Sequence, residues 1–463
     1  MFKEMKDEPL PQNQLYTVSQ NATDNSYYQK NLDLIKQFKL SNGIEVVTKE
    51  NPLSEQTSLV ISIDGGKYNS ADDNGFEEVM VNLTANLIQR KLGTAQQNGL
   101  LTGAFYVSSE IELATGKIIV EFDKEDSIAV LRTITDAILY CEIAPADADR
   151  AVASRKYKKR LENGTAATQM YSKLIDRAFS NKSLTNIFEA KNEILLDTDY
   201  TKILSAYPAM LDASRYALIL TGALDQNLVT LLEETFGQLA PQGAAPTTAT
   251  ATFSAPLTPD LTKSRNLTTK VVHTFLTDIP AEKAGPQPAV LIPTTEFLDP
   301  VIYAGKSPEP CTKQAALYNA TLSYIGAELS KNHPVTVQFP RSNLPLGSIT
   351  IQNVAHTREL DAEYKNLIQN TKDQMNRLQA NETIIREIKN NWIQKEMTET
   401  ASDTGTALLM QKGLELTGAA KNAVWYLQEY NWIQTASAQD YLEMMEYFPP
   451  VPEARVYSSD SKK

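Results

Sequence analysis

The segment NSADDNGFEEVMVNLTANLIQRKLGT, residues 69–94, decides how the rest of the chain is interpreted. A polar loop leads into a helical pattern whose apolar residues form one stripe, namely Phe76, Val79, Met80, Leu83 and Leu87. On the same helix Glu78 and Asn82 are four residues apart, the spacing at which two side chains can hold a common ion. A lone Glu with an Asn is a weak metal clamp, so this spacing alone predicts no metal centre.

Length and composition bound the class of protein. A chain of 463 residues is long enough for at least two domains, each with its own core. The hydrophobic fraction of 42%, the charged fraction of 22% and the net charge of −12 are typical of a soluble globular protein. The acidity argues against a general affinity for nucleic acid or for anionic membranes.

Cysteine usage and apolar runs exclude further classes. Cys141 and Cys311 fall in different halves of the chain, so we expect neither a disulfide framework nor a thiolate metal cluster. No apolar run approaches the roughly 18–20 residues of a membrane helix, so we expect no membrane span. Residues 1–30 are too polar for a signal-peptide core, and an exported form would need a signal that this sequence lacks.

The first half combines pairs of strands with helices. β-branched runs at 44–49 and 57–64 predict strands, and alternation over 103–123 predicts a further pair with Thr115-Gly116 as its turn. Helices are predicted at about 73–91, at 126–141 with the stripe Ile128, Leu131, Ile134, Ile138 and Cys141, from Pro145 to 163, and at about 166–180. A buried strand, a turn and a closing helix follow over 215–240.

The second half repeats this pattern with longer helices. Strand signals lie at 269–276, 300–305, 347–354 and 453–458, a helix is predicted at about 313–330, and long helices span about 360–431. The stretch from 241 to 261 is rich in Pro, Ala and Thr, which suits an extended linker.

We therefore divide the chain into four parts: a polar leader 1–36, a first domain 37–240, a linker 241–265 and a second domain 266–463. The predicted fold class is α+β, with two related domains, each a mainly antiparallel sheet with helices packed on one face. The repeated plan indicates an ancient duplication.

Three segments of the chain resemble the landmarks of one enzyme family. They are LSNGIEVVTKENP at 40–52, GGKYNSADDNGF at 65–76 and ALILTGALDQNLVTLLEETFGQL at 217–239. Together they resemble the insulinase/pitrilysin metallopeptidases, which include the mitochondrial processing peptidase. The resemblance extends from about residue 37 over most of the chain, and it implies two domains that face each other like half of a clam shell.

Active members of that family carry an inverted zinc motif, His-x-x-Glu-His, just after the Asn-Gly present here at 74–75, and a distal Glu ligand on a later helix. The motif is absent from this sequence. If Gly75 is placed on the family glycine, the degenerate zinc-site positions are Glu78 and Asn82 for the two histidines, Val81 for the general base, and Arg155 or Lys156 for the distal ligand.

These replacements remove the chemistry that the family uses. Hydrolytic zinc requires about three nitrogen or carboxylate ligands, a bound water and a carboxylate base. Sliding the motif by four residues restores nothing, and the chain contains only His273, His333 and His356, none of them in the first domain. The resemblance therefore implies an inactive member with no catalytic residue, metal or other cofactor, and we expect the three histidines to be satisfied locally.

In active relatives the second domain contributes an Arg and, seven residues later, a Tyr that bind the substrate. The segment FPRSNLPLGSITIQ preserves the Arg as Arg341 and places Ser348 at the Tyr position. By resemblance, these two are the candidate peptide-binding residues.

The degenerate positions also predict a contact. A carboxylate alone at the former metal position would be costly to desolvate, and an Arg on the second helix supplies the opposite charge. We predict a Glu78–Arg155 ion pair with Asn82 as an additional hydrogen-bond partner, and Lys156 is the alternative cation.

These segments also allow two other interpretations. A new hydrolytic centre built on Asp72, Glu77 and Glu78 competes with the simpler view that acids at a helix start are surface residues favoured by the helix dipole. The basic run RKYKKR at 155–160 would spread around a helix, which favours a solvated face over a nucleic-acid site.

Two functions agree with this pattern. The first is a non-catalytic partner subunit, peptide-binding component or scaffold for an active zinc peptidase of the same family, with self-association as the lesser option. The second is a purely structural subunit of a larger assembly, like the core subunits of the mitochondrial cytochrome bc complex. Two-subunit bacterial relatives are commonly exported, which favours a periplasmic or other extracytoplasmic location, although a cytoplasmic one stays open.

Overall fold

The structure, a computed structural model, describes residues 26–69, 75–140, 142–163, 165–179, 187–188, 199–240, 259–271, 299–309, 311–340, 344–352, 354, 357–377, 381–417 and 422–458. Several residues singled out from the sequence lie outside these ranges, namely Asp72, Asn74, Cys141, His273, Arg341 and His356. Most of the proposed leader and residues 241–258 of the proposed linker lie outside them as well.

The first half contains a six-stranded sheet in the order β1-β2-β6-β3-β5-β4. Its strands are β1 (Ile35–Lys39), β2 (Glu45–Glu50), β3 (Gln56–Asp64), β4 (Phe105–Ile111), β5 (Thr115–Asp123) and β6 (Tyr216–Gly222). Neighbouring strands run antiparallel except for β2 and β6, which are parallel. The strand β4 lies at one edge, where its outer side has no pairing strand among the described residues.

The described part of the first half contains eight α-helices, most of which pack on one face of this sheet. They are α1 (Ser26–Leu34), α2 (Gly66–Asn69), α3 (Phe76–Gln97), α4 (Ser127–Leu139), α5 (Pro145–Asn163), α6 (Ala166–Ala178), α7 (Tyr200–Ala206) and α8 (Leu228–Glu234). Apart from the partly buried Phe76, the apolar stripe of α3 is buried as its spacing predicts. Val79, Leu83 and Leu87 share one core with Leu59 and Ile61 of β3. The helix α3 therefore lies against the centre of the sheet.

Two details of the first half differ from the sequence prediction. Thr115 and Gly116 do not form the turn between β4 and β5, because both lie within β5. A Cβ atom at Gly116 would lie 2.6 Å from a methyl group of Val81, so this position is glycine to let α3 approach the sheet. Ile128 is half-exposed because it lies about 120° around α4 from the buried Ile134.

The second half contains a five-stranded sheet in the order β7-β11-β8-β10-β9. Its strands are β7 (Leu267–Thr269), β8 (Val301–Lys306), β9 (Val335–Gln338), β10 (Leu346–Ile351) and β11 (Ala454–Ser458). Only β7 and β11 pair in parallel. The edge strand β9 was not predicted because it is four residues long and only half-buried.

The helical region of the second half divides into separate helices. They are α9 (Lys313–Ser330), α10 (Thr357–Asn376), α11 (Asn381–Glu399), α12 (Asp403–Thr417), α13 (Trp425–Thr435) and α14 (Ala438–Met444). The helix α9 has the predicted bounds, and with α10, α11 and α14 it covers one face of the second sheet. The predicted α+β class, with two mainly antiparallel sheets, is confirmed.

A helix from each half packs on the sheet of the other half. Met410 and Leu414 of α12, in the second half, pack with Val60 and Ile219 on the free face of the first sheet. Reciprocally, α6 of the first half covers the free face of the second sheet, with Met170 and Leu174 against Ile302, Leu346 and Val456. Both sheets are therefore covered on two faces, and the halves are held together by exchanged helices.

The end of the proposed linker belongs to this packed structure. Leu261–Ser264 form a turn of 3₁₀ helix, and Leu261 is buried in the same cluster as α6. None of the described helices combines the length and the apolar character that crossing a bilayer requires.

The exchanged helix α12 generates a stability prediction. Truncating the fully buried Met410 to Ala leaves a cavity against the first sheet, and it should lower the free energy of unfolding by about 2–5 kcal/mol. The matched control is Met397→Ala, because Met397 on α11 is half-exposed and should change stability by less than about 0.5 kcal/mol. Urea unfolding of both variants measures the difference, and equal values would mean that α12 does not pack on the first sheet.

Candidate functional site

The site begins at Gly75, the residue that precedes α3. Its backbone φ is 107°, a left-handed conformation that favours glycine. A Cβ atom added here would lie 2.8 Å from Nε of Arg155, so the guanidinium of α5 passes directly over the start of α3. Both the conformation and the close approach therefore require glycine at this position.

The predicted ion pair between Glu78 and Arg155 is confirmed. Nε of Arg155 lies 2.7 Å from Oε2 of Glu78, and both side chains are at most 5% exposed. Lys158, one turn further along α5, places its Nζ 3.0 Å from Oε1 of the same carboxylate from a half-exposed position. Lys156, the alternative cation, is exposed. One buried carboxylate of α3 is thus compensated by two cations of α5.

Val81 and Asn82, the other two positions that the sequence resemblance assigns to the motif, have different surroundings. Val81 is 1% exposed and lies against Gly116 of β5, where it is part of the apolar core. Asn82 does not join the ion pair as predicted, because its Oδ1 accepts a hydrogen bond of 3.2 Å from the Ser109 hydroxyl on β4. The amide therefore ties α3 to the edge strand of the sheet instead of to α5.

A second buried ion pair lies beside the first. Glu77 contacts the guanidinium of Arg215, and both side chains are buried. Arg215 also donates from Nε to the Asp64 carbonyl at 2.9 Å and from Nη1 to the Ala209 carbonyl at 3.1 Å. The interpretation of Glu77 and Glu78 as surface acids was wrong. The one sequence signal for this pair was an Arg directly before a fully buried strand.

These residues do not fit a catalytic zinc ion. Val81 offers no donor atom, and the Arg155 guanidinium carries a permanent positive charge and only hydrogen-bond donors. The Glu78 carboxylate is already engaged by two cations. Within the described ranges, no group of three or more His, Cys, Asp or Glu side chains is arranged to hold a metal ion.

A cavity of about 400 Å³ opens between the two halves. Ile111 and Leu113, at the end of the edge strand β4, form one side of it, and Val337 and Phe339, in and after the edge strand β9, form the opposite side. Tyr171 of the exchanged helix α6 contributes to a further wall. The volume falls in the range of roughly 300–1,000 Å³ that is usual for ligand pockets.

Of the two candidate peptide-binding residues, only Ser348 can be placed relative to this cavity. Arg341 lies outside the described residues. Ser348 is 1% exposed on β10, and its hydroxyl donates to Oε1 of Gln338 at 3.3 Å. Because Gln338 lines the cavity, Ser348 orients a lining residue rather than facing the cavity itself.

The histidines were expected to be satisfied locally, and His333 is. Its Nε2 lies 2.8 Å from Oε2 of Glu363, whose other oxygen accepts from Asn332 at 2.7 Å. The histidine and amide donors hold the pKa of the Glu363 carboxyl below its ordinary value against the opposing effect of burial.

Comparison of the fold with solved structures identifies its type. No family model and no curated protein sequence matches the chain. Its fold matches a protease from Helicobacter pylori with a TM-score of 0.66 at 11% identity, over 92% of this chain and 98% of that one. It also matches the inactive domain of an M16 peptidase from Pseudomonas fluorescens, with a TM-score of 0.64 at 11% identity, over 92% and 97% of the two chains.

The chain has the M16 peptidase fold. The resemblance seen in the sequence is thereby confirmed at the level of the fold. The fold of this chain also matches a chain of complex III2 from Candida albicans, with a TM-score of 0.58 at 11% identity, over 89% of this chain and 92% of that one.

The start of α3 provides a second prediction. In Gly75→Ala the added methyl group meets the Arg155 guanidinium and the left-handed backbone is strained, so the free energy of unfolding should fall by about 1–3 kcal/mol. Gly93→Ala is the matched control, since Gly93 lies within α3 with no atom near its Cβ position and should gain about 0.5–1 kcal/mol. Urea unfolding that ranks the two variants equally would refute the close approach of Arg155.

A third prediction concerns the ion pair itself. Arg155→Met leaves the buried Glu78 carboxylate without its nearest cation and should cost about 3–5 kcal/mol of unfolding free energy. Lys158→Met, at the half-exposed partner, should cost no more than about 1 kcal/mol. The double variant Glu78→Leu with Arg155→Met should recover most of the loss, and a double variant no more stable than Arg155→Met would contradict the pairing.

Proposed function

We propose that this chain is a non-catalytic peptidase homologue that serves as the partner subunit or peptide-binding component of an active zinc peptidase with the same fold. The observation that carries the proposal is the buried Glu78–Arg155 pair. The sequence resemblance assigns a zinc ligand of active relatives to the position of Glu78 on α3 and another to the position of Arg155 on α5.

The proposed lack of catalysis follows from the chemistry of these side chains. A zinc-bound nucleophile needs ligands that accept a cation and a carboxylate that takes a proton from the bound water. An Arg side chain excludes a nearby metal by its charge, and the apolar Val81 takes no proton. The inactive M16 domain from Pseudomonas fluorescens sets a precedent for the fold without activity.

A peptide-binding role is supported by the edges of the two sheets. Among the described residues β4 pairs only with β5, and β9 pairs only with β10, so each strand leaves one side unpaired. Residues at both edges line the cavity of about 400 Å³. An extended peptide can add to a free sheet edge through its main chain, with side chains filling adjacent pockets.

A partner role is supported by a cavity that is open to a peptide while the described residues hold no group arranged to bind a metal ion. An inactive subunit can help to enclose a peptide that a second, zinc-bearing subunit cleaves, and pairs of similar folds commonly associate through matching surfaces. The second candidate is a purely structural subunit, which the match to a chain of complex III2 favours. Self-association is the lesser alternative to a zinc-bearing partner.

The proposal predicts a purified chain without zinc-dependent hydrolysis. After dialysis, metal analysis should find well below one zinc per chain, and cleavage of an unfolded peptide should stay at background with or without a chelator. A matched preparation of an active M16 peptidase is the positive control. About one zinc per chain together with chelator-sensitive cleavage would overturn the proposal.

Peptide binding is tested separately at the cavity. Binding of a fluorescently labelled unfolded peptide should weaken at least about tenfold in Ile111→Trp, because the larger side chain fills the cavity beside β4. Tyr106→Trp, on the same strand at a mostly exposed position, should bind as the parent does. Equal affinity of both variants would remove the cavity from the proposal.

The two candidate functions differ in what accompanies the protein in cells. Affinity purification from native lysate followed by mass spectrometry should recover a homologue that has an intact His-x-x-Glu-His motif. Recovery of a large assembly without such a homologue would favour the structural subunit instead. A purified protein that is monomeric by light scattering, with no homologue recovered, would count against both.

A further inference from the structure

A buried carboxyl group lies far from the degenerate zinc positions, on α11. Glu396 is only 6% exposed, and neither of its carboxyl oxygens has a hydrogen-bond partner among the described residues. An ionised carboxylate without donors in such a place is unfavourable by several kcal/mol, whereas the protonated acid is tolerated.

A second, partly buried acid acts on it. Glu429 of α13 accepts a hydrogen bond of 3.0 Å from Nδ2 of Asn319 on α9, and its negative charge acts on Glu396. Both α11 and α13 pack on α9. Tyr426 and Leu427 of α13 belong to the apolar cluster on the first sheet. The two acids therefore lie where the second half meets the first.

The cations around Glu396 have other contacts. On its own helix, Lys395 forms an ion pair of 2.5 Å with Glu399. Lys49, on β2 of the first sheet, lies 3.4 Å from the Tyr426 hydroxyl. The other titratable groups that act on this pair of acids are Glu399 of α11, Lys412 of α12, Tyr430 of α13 and, toward Glu429, Cys311 ahead of α9. Asp403 of α12 acts on Lys49.

We propose that Glu396 is a proton-controlled latch: its proton allows α11 to pack on α13, the helix that meets the first sheet, and loss of that proton loosens the two helices. The geometry carries the proposal, because an ionised Glu396 would have the partly buried Glu429 carboxylate as its neighbour and, within the described part of the chain, no hydrogen-bond donor to stabilise it. Local opening that admits water is the available relief.

The pH window follows from the direction of the shift. Burial first, and then the charge of Glu429, raise the pKa of Glu396 from 4.5 to about 8. Burial also raises the pKa of Glu429. A carboxyl group whose pKa is raised by folding contributes stability that is fully present below its pKa in the unfolded chain. This contribution declines as pH increases and is lost above its pKa in the folded protein. Between pH 5 and 8, unfolding should therefore release a proton from Glu396.

The first test measures this proton directly. Urea unfolding in weak buffer near pH 6.5 should release about one more proton per molecule from the parent than from Glu396→Gln. The melting temperature of the parent should fall more steeply from pH 6 to 8 than that of Glu396→Gln, which is isosteric with the protonated acid. Glu399→Gln, one turn away and partly exposed, should keep the proton release of the parent.

The second test asks whether the proton controls packing. Hydrogen exchange in α11 and α13, corrected for the intrinsic effect of pH, should accelerate above about pH 8 in the parent but not in Glu396→Gln. If Glu396→Gln fails to fold, Glu429→Gln replaces it. Removal of the neighbouring negative charge eases the ionisation of Glu396 and lowers its pKa, so the transition should then move to lower pH.

Two results would overturn the latch. Parallel pH profiles and equal proton release in the parent and Glu396→Gln would show that Glu396 does not titrate in this window. A gain in melting temperature on adding Ca²⁺ or Na⁺, without any proton release on unfolding, would assign a bound cation rather than a proton to the two acids.

Discussion

The ion pair between Glu78 and Arg155 fixes the arrangement around the start of α3. Arg155 reaches it by passing over Gly75, which restricts that position to glycine and sets the distance between α3 and α5. The neighbouring pair of Glu77 with Arg215 ties the same turn of α3 to the segment before β6. Buried pairs of this kind add little net stability, but each lost partner is costly, so they specify one packing of the elements that they join.

The exchange of helices makes the two halves one unit. The helix α12 combines its apolar contacts on the first sheet with polar ones, since Gln411 donates to the Ser62 hydroxyl at 3.3 Å and to the Thr115 hydroxyl at 3.2 Å. Tyr171 of α6 and Glu415 of α12 both line the cavity. The exchanged helices thus stabilise the contact between the halves and also form walls of the proposed binding site.

The sequence predicted those features that depend on local pattern or on the family resemblance. The strands β2 and β3, the bounds of α9 and the Glu78–Arg155 pair belong to this group. It could not predict contacts between distant segments. Gly116 suggested a turn because its packing partner is 35 positions earlier, at Val81. Neither the helix exchange nor the buried carboxyl of Glu396 has a signature at short range, because each depends on which helix covers which sheet.

The most direct test of the central claim is a crystal structure of the protein grown with excess zinc, with anomalous diffraction recorded at the zinc absorption edge. We expect no anomalous peak between α3 and α5 and expect the Arg155 guanidinium within about 4 Å of the Glu78 carboxylate. A zinc peak beside Glu78 and Asn82, with Arg155 displaced toward solvent, would contradict the account.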